Sequence, residues 1–293
     1  MTAARRDLHL GDGRAVCVEE DGDLRGMPVF VLHGTPGSRL LYAEHAADAK
    51  RRGIRLIGHD RPGYGGSTRK PGRTIADAAG DVRAIADALG LDRFAVWGHS
   101  GGGAPALACA ALLPDRVIAA ASLAGTAPYP AAGLDWTAGM GEANREDMAL
   151  MLDDRGAWEA KAIAEAAQMR SGTVEQLLEM LATLLSDVDR AVLTPGLATY
   201  LDAEAKAGID PGAAGVIDDN LSGVLPWGFD LSAIRVPLQL WHGGEDRFVP
   251  FAHGQWLAER LPRAELHLDP NEGHLSLFAN RIPEVQKWLA SHT

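Results

Sequence analysis

Short apolar runs alternating with helix-period segments constrain this chain more than any other feature. Residues 28–32, 55–58, 94–97 and 117–123 are such runs, each bounded by Gly, Pro or charge. Runs this short and this continuous read as strands buried on both faces, the mark of a parallel sheet. Between the second and third, Ile75, Ala78, Ala79, Val82, Ile85, Ala86 and Leu89 recur at three- and four-residue steps, with Thr74 placed as N-cap and Gly90 after the last turn. That spacing predicts a crossover helix. Two later strands are predicted at 236–241 and 265–268, then a closing helix that starts at Pro283 and buries Val285, Trp288 and Leu289. The pattern predicts an α/β fold with a mostly parallel central sheet flanked by helices.

The alternation stops in the middle of the chain. From 127 to 232 no strand-like run appears. Val174, Leu177, Leu178, Leu181, Leu184, Leu185 and Val188 form one helical stripe opened by a Thr173–Gln176 capping box, and Trp158, Ala162, Ala166 and Met169 predict a helix before it. The Gly- and Pro-rich stretch 206–229 reads as an irregular return. Because the chain comes back to strand afterwards, the helical block is predicted to be a cap inserted between late strands. The division is 1–126 for the first part of the core, 127–232 for the cap and 233–293 for the second part of the core.

Composition narrows the function classes. With 46% hydrophobic residues, 34 Gly and 16 Pro in 293 residues, the chain is neither disordered nor fibrous. Its formal net charge of −11 repels phosphate backbones and anionic lipid, so neither nucleic acid nor a membrane surface is an expected partner; a small-molecule substrate is. Cys17 and Cys109 are too few for a disulfide framework or a thiolate metal site, so no metal is expected and both read as buried free thiols. The first fourteen residues lack an apolar signal core, and the most apolar run, 117–124, is far shorter than the ~20 residues needed to span a bilayer. A cytoplasmic protein is expected.

The most informative segment for chemistry is Phe94-Ala-Val-Trp-Gly-His-Ser100-Gly-Gly-Gly, which runs from a predicted strand through a tight turn into a helical pattern from about residue 104. A serine on such a turn is strained, and the positions two before and two after it must be small so that strand and helix can approach. Gly98 and Gly102 meet that need. Given 34 Gly and ten Ser, chance would produce G-x-S-x-G about 0.13 times, so the motif gains its weight from the strand and helix around it.

A serine hydroxyl is a poor nucleophile at neutral pH and needs a base, oriented by an acid. Asp246 lies just after the strand ending near Trp241, and His274 just after the last strand. Loops at the C-terminal ends of parallel strands share one sheet edge, so Ser100, Asp246 and His274 are predicted to converge there as the catalytic set. Glu245 is the weaker candidate acid. His33, His59 and His99 read as structural, and His242, His253, His267 and His292 lack the late-loop context. An acyl-transfer oxyanion needs two backbone N–H donors. Gly101 supplies one. Thr35 supplies the other, on the loop after the first core strand, since Pro36 has no N–H; the same Gly/Pro stretch also reads as an ordinary strand-ending turn.

His33-Gly-Thr-Pro-Gly37, His59-Asp-Arg-Pro-Gly-Tyr-Gly-Gly-Ser67, Gly98-His-Ser-Gly-Gly102, His242-Gly-Gly-Glu-Asp246 with Val249-Pro250, and Gly273-His274 together resemble an α/β-hydrolase fold enzyme of the esterase and C–C hydrolase type with a helical cap. The resemblance covers nearly the whole chain. It implies a serine hydrolase cleaving a small or medium apolar ester, lactone, thioester or activated amide through an acyl-enzyme on Ser100, with no cofactor and with the cap over the substrate pocket. A C–C bond hydrolase with the same triad, or a receptor that does not turn its ligand over, is the alternative. Dehalogenases and epoxide hydrolases of the fold carry aspartate at the nucleophile position, which Ser100 argues against. Iminopeptidases usually place Trp, and cofactor-free haloperoxidases Met, where this chain has Gly101.

Other features favour plain structural readings. Asp60, Arg61, Tyr64 and Ser67 are read as shaping a turn, and Glu142, Glu146, Asp147, Asp153 and Asp154 as a solvated helix face. Trp136, Trp158 and Trp227, with Met140, Met148, Met151, Met169 and Met180, suit either cap packing or an apolar pocket.

Overall fold

An antiparallel hairpin that the apolar pattern does not announce opens the computed structural model, which describes residues 4–292. It consists of β1 (Ala4–His9) and β2 (Ala15–Gly22). β1 reads Ala-Arg-Arg-Asp-Leu-His because it is an exposed edge with little apolar surface to bury. There follow β3 (Met27–Leu32), α1 (Ala43–Arg51), β4 (Ile54–His59), α2 (Asp77–Ala88), β5 (Phe94–His99), α3 (Gly103–Leu112) and β6 (Val117–Leu123). Six helices then intervene: α4 (Glu142–Asp153), α5 (Arg155–Ser171), α6 (Val174–Met180), α7 (Asp187–Val192), α8 (Pro195–Ile209) and α9 (Ala214–Gly223). The chain closes with β7 (Leu238–Gly243), α10 (Phe251–Arg260), β8 (Glu265–Asp269) and α11 (His274–Ala290).

The eight strands form one sheet in the order β1-β2-β4-β3-β5-β6-β7-β8, parallel from β4 to β8 and antiparallel at β1 and β2. Successive strand residues point to opposite faces, and each face has its own core. Phe30, Leu32, Phe94 and Val96 pack with residues of α2, α3 and α10, while Val29, Ala95 and Trp97 pack with α1 and α11. Burial on both sides explains the unbroken apolar runs. Met148, Met151, Trp158, Ala162, Ile209 and Ile217 form a third cluster among the inserted helices. No helix among the described residues is long and apolar enough to cross a membrane.

Several sequence expectations are corrected at helix ends. Thr74 does not cap α2; Asp77 instead accepts the Thr74 N–H at 2.7 Å and its hydroxyl at 3.1 Å, and the helix starts there. The single stripe predicted from Val174 to Val188 is two helices. The Thr173–Gln176 capping box opens α6 as expected, but Leu184 and Leu185 lie between helices and Ser186 caps α7, a hydroxyl competing with helix continuation. α11 begins at His274 rather than at Pro283, which sits inside it. The stretch 206–229, read as irregular, contains the end of α8 and all of α9.

Two registers place the loops that matter. Leu32 is level with Gly98 in the β3–β5 pair, and Gly243 with Asp269 in the β7–β8 pair. The loops that follow, carrying Thr35, Ser100, Asp246 and His274, therefore leave the same edge. β3 is followed in sequence by β4 on one side, and the chain then crosses to β5 on the other. Such a reversal opens a crevice at the carboxyl ends of the strands.

Candidate active site

Ser100 is the first residue after β5, and its φ of 55° lies in the left-handed region. A side chain there is strained, a state that persists only where the surroundings over-determine it. The surroundings do so here: a Cβ on Gly98 would lie 2.0 Å from the Gly102 carbonyl oxygen, and one on Gly102 would lie 2.0 Å from that of Leu32. The two flanking glycines let β5, the turn and the β3 loop close on one another.

His274 is the first residue of α11, and its Nδ1 lies 2.7 Å from Asp246 Oδ2. Asp246 accepts the Phe248 and Val249 N–H groups on its other oxygen, both at 2.9 Å. Burial by itself would raise the Asp246 pKa, but the charge and hydrogen bond of His274 outweigh it and hold the carboxyl below its ordinary value. A carboxylate on Nδ1 fixes the proton there and leaves Nε2 as the free base. Glu245, the alternative acid, is exposed. The His274 ring stacks on Phe248 with centroids 4.5 Å apart, and the His99 Nε2–H donates to the His274 carbonyl at 3.0 Å. Among the described residues no hydrogen bond joins Ser100 to His274; in many apo sites that contact tightens only around substrate.

The Thr35 loop meets the Ser100 turn from the other side. A Cβ on Gly101 would lie 3.2 Å from the Thr35 nitrogen, so the two residues abut, and among the described residues the Thr35 N–H has no acceptor. The Thr35 hydroxyl donates to Asp219 of α9 at 2.9 Å. Arg61 and Arg73 also converge on Asp219, as does the Tyr64 hydroxyl at 2.7 Å. Arg61 further donates to the Gly34 carbonyl at 2.8 Å. Its backbone N–H reaches His33 Nε2 at 3.1 Å, so His33 is neutral with its proton on Nδ1, facing the Gly34 carbonyl.

A profile of the alpha/beta hydrolase fold matches residues 27–280 of the chain. The chain belongs to the α/β-hydrolase fold family. It is 29% identical over 270 residues to a pimeloyl-[acyl-carrier protein] methyl ester esterase of Chromobacterium violaceum, covering 92% of this chain and 94% of that protein. It is 28% identical over 270 residues to an AB hydrolase superfamily protein of Bacillus subtilis, covering 90% of each. Among solved structures, a thermophilic esterase from Thermogutta terrifontis superposes with a TM-score of 0.69 at 20% identity, covering 99% of both chains. Hydrolysis is the activity that accompanies this membership.

In this α/β-hydrolase, Ser100, Gly101 and Thr35 open into a cavity of about 370 Å³, within the range of small-molecule sites. Met140, Met148, Met151, Met169 and Met180 all line it, with Trp136 and Trp158. Thioether walls adapt to irregular apolar shapes. Trp227 does not line the cavity; it packs in the sheet core, stacked on Phe229. Asp147 also departs from expectation, for it borders the cavity and pairs with Lys161, whereas Glu142, Glu146, Asp153 and Asp154 are exposed as read.

Sequence reasoning missed Asp219, Arg73 and Phe248, and read Arg61 and Tyr64 as mere turn residues. Asp60 and Ser67 do shape the turn, accepting N–H groups of Arg39, Gly66 and Cys17. Arg61 and Tyr64 instead reach across to α9. The local signal was slight: Asp218, Asp219 and Asn220 form a polar group between Ile217 and Leu221.

Four buried histidines set the acid limit of the fold. Burial lowers His45, His59 and His99 to about 3 and His253 to about 4. In the unfolded chain each titrates near 6.5. The folded values lie below the unfolded ones, so this stabilisation is complete above pH 6.5 and is lost as pH falls toward 4. The upper limit is about 1.4 kcal/mol per pH unit for each histidine. Glu204, whose carboxyl burial pushes up to about 8, opposes this over the same window, so it is in a Glu204→Gln variant that urea midpoints should drop between pH 7.5 and pH 5.5. Equal midpoints at the two pH values in that variant would contradict neutral burial.

Proposed function

We propose that this α/β-hydrolase is a serine hydrolase cleaving small or medium apolar esters, lactones, thioesters or activated amides, with residues 127–232 as a cap over the acyl pocket. The observation that carries the reading is the His274–Asp246 pair, with Nε2 left free at the sheet edge where strained Ser100 faces a Met-lined cavity. Ser100 Oγ attacks the substrate carbonyl as His274 Nε2 takes its proton. The N–H groups of Thr35 and Gly101 hold the oxyanion, and Asp246 stabilises the imidazolium. The imidazolium then protonates the leaving oxygen, sulfur or nitrogen, and the alcohol, thiol or amine departs. Water, deprotonated by His274, attacks the acyl-enzyme, and collapse releases the acid and restores Ser100. The methyl ester esterase of Chromobacterium violaceum, similar over nearly its whole length, supports an ester substrate.

A p-nitrophenyl ester series of increasing acyl length, run beside labelling with a fluorophosphonate, tests the proposal. Turnover should peak at an acyl length that fits the cavity, and the label should add once per chain, on Ser100. Absence of both hydrolysis at every length and an adduct on Ser100 would overturn it. Turnover of a vinylogous diketone, with esters untouched and Ser100 still labelled, would replace ester by C–C cleavage on the same residues.

A further inference from the structure

α11 lacks a cap of its own. Its N-cap is Gly273, which has no side chain to offer the free N–H groups of the first turn, although its own N–H donates to Ser276 Oγ at 2.7 Å. The missing acceptor comes from the inserted helices. Asp189 Oδ1 accepts the N–H groups of Leu275 at 2.8 Å and Ser276 at 3.0 Å. The Asp189 side chain is held from behind by the Ser186 hydroxyl, which donates to Oδ2 at 2.9 Å, and the residue is fully buried. A Cβ on Gly273 would lie 2.4 Å from Asp189 Oδ1, so position 273 must be glycine for the carboxylate to reach the helix.

We infer that Asp189 is a positioning residue for His274, capping from α7 the helix whose first residue is the proposed general base. The inference rests on the serine-hydrolase reading. With the His99 ring on its carbonyl and Asp189 on the next two N–H groups, the His274 backbone is gripped from both sides, which fixes where Nε2 sits relative to Ser100. The grip also has a second end. Met180, Leu181 and Leu184, on the stretch that leads into Ser186 and Asp189, line the cavity. Packing of substrate against that stretch thus bears on the segment that aims His274.

The test uses the full chain and four variants, Asp189→Ala, Asp189→Asn, Gly273→Ala and the double Asp189→Ala/Gly273→Ala. Readouts are kcat and KM on the best p-nitrophenyl ester, and the rate of Ser100 phosphonylation. Misplacement by about 1 Å costs about 100-fold. Asp189→Ala should therefore lower kcat and the phosphonylation rate together by about 10- to 100-fold, with KM within about 2-fold. Asp189→Asn keeps an acceptor oxygen and should recover to within about 3-fold of wild type, whereas Gly273→Ala, which retains the Asp189 side chain but pushes it off the helix, should not recover. Gly273→Ala displaces the carboxylate and should resemble Asp189→Ala, and the double variant should be no worse than either single, since both remove one contact. If Asp189→Ala does not fold, Asp189→Asn and Gly273→Ala decide the matter. Folded Asp189→Ala and Gly273→Ala with kcat and phosphonylation within 2-fold of wild type would overturn the inference while leaving the hydrolase reading intact. A wild type with neither turnover nor a Ser100 adduct would overturn both.

Discussion

Ser100→Ala is expected to lower kcat/KM for the best ester by at least about 10³-fold while leaving the unfolding midpoint nearly unchanged. The separation of the two effects follows from the site. On the proposed mechanism, removing Oγ deletes the nucleophile, and what remains is binding and the N–H groups of Thr35 and Gly101. Alanine keeps the Cβ and therefore the strain of φ 55°, so the fold gains and loses little. His274→Ala should cost about as much, and the double variant scarcely more, because nucleophile and base act as a unit. Ser100→Gly makes the strain visible. It should be equally inactive yet more stable than Ser100→Ala by up to about 1 kcal/mol, relief of a left-handed side chain being offset in part by glycine's unfolded-state entropy. Steady-state kinetics and urea titration read these quantities. Ester turnover surviving in Ser100→Ala would end the acyl-enzyme assignment.

The largest stability effect is expected at Asp219. Its carboxylate is buried against Arg61, Arg73, Tyr64 and Thr35. Burial would raise its pKa, but the charges of Arg61 and Arg73 prevail and hold it far below the ordinary carboxylate range. The depressed value means that this stabilisation is present above the unfolded pKa near 3.9 and fades only in stronger acid. Asp219→Ala leaves two buried guanidinium groups without their counter-charge, and breaking a buried network from one side costs about 3–5 kcal/mol. For a chain of this size that is on the order of 10 °C in Tm. Arg73→Met in the Asp219→Ala background should recover part of the loss by removing one orphaned charge. Activity should also fall in Asp219→Ala below its melting range, since the Thr35 hydroxyl loses its acceptor and the loop proposed to hold the oxyanion loses its anchor. A loss under 1 kcal/mol would show that water or another group satisfies the arginines.

How much of this protein the linear chain reveals depends on the range of the interaction concerned. Buried parallel strands write themselves as apolar runs, because both faces need a partner, and the runs at 28–32, 94–97 and 117–123 lie within observed strands. The elbow at Ser100 is local in part: the Gly102 carbonyl within the same turn demands glycine at 98, whereas glycine at 102 is demanded by the Leu32 carbonyl of β3. Given parallel strands, the shared edge for Ser100, Asp246 and His274 follows from topology, and the His274–Asp246 contact agrees with it. The hairpin of β1 and β2 escaped notice because an edge with one solvated face needs few apolar residues.

Asp219 and Asp189 lay beyond that reach. Each looks like an ordinary helical carboxylate in its own neighbourhood, and each acquires its role from partners remote in sequence: Arg61, Arg73 and Thr35 for one, the first turn of α11 for the other. Local pattern reports whether a residue is apolar, strained or turn-forming. Which buried charge meets which cation, and which carboxylate caps which helix, depends on how separate elements pack, and that is decided only when the inserted helices close on the edge of the sheet.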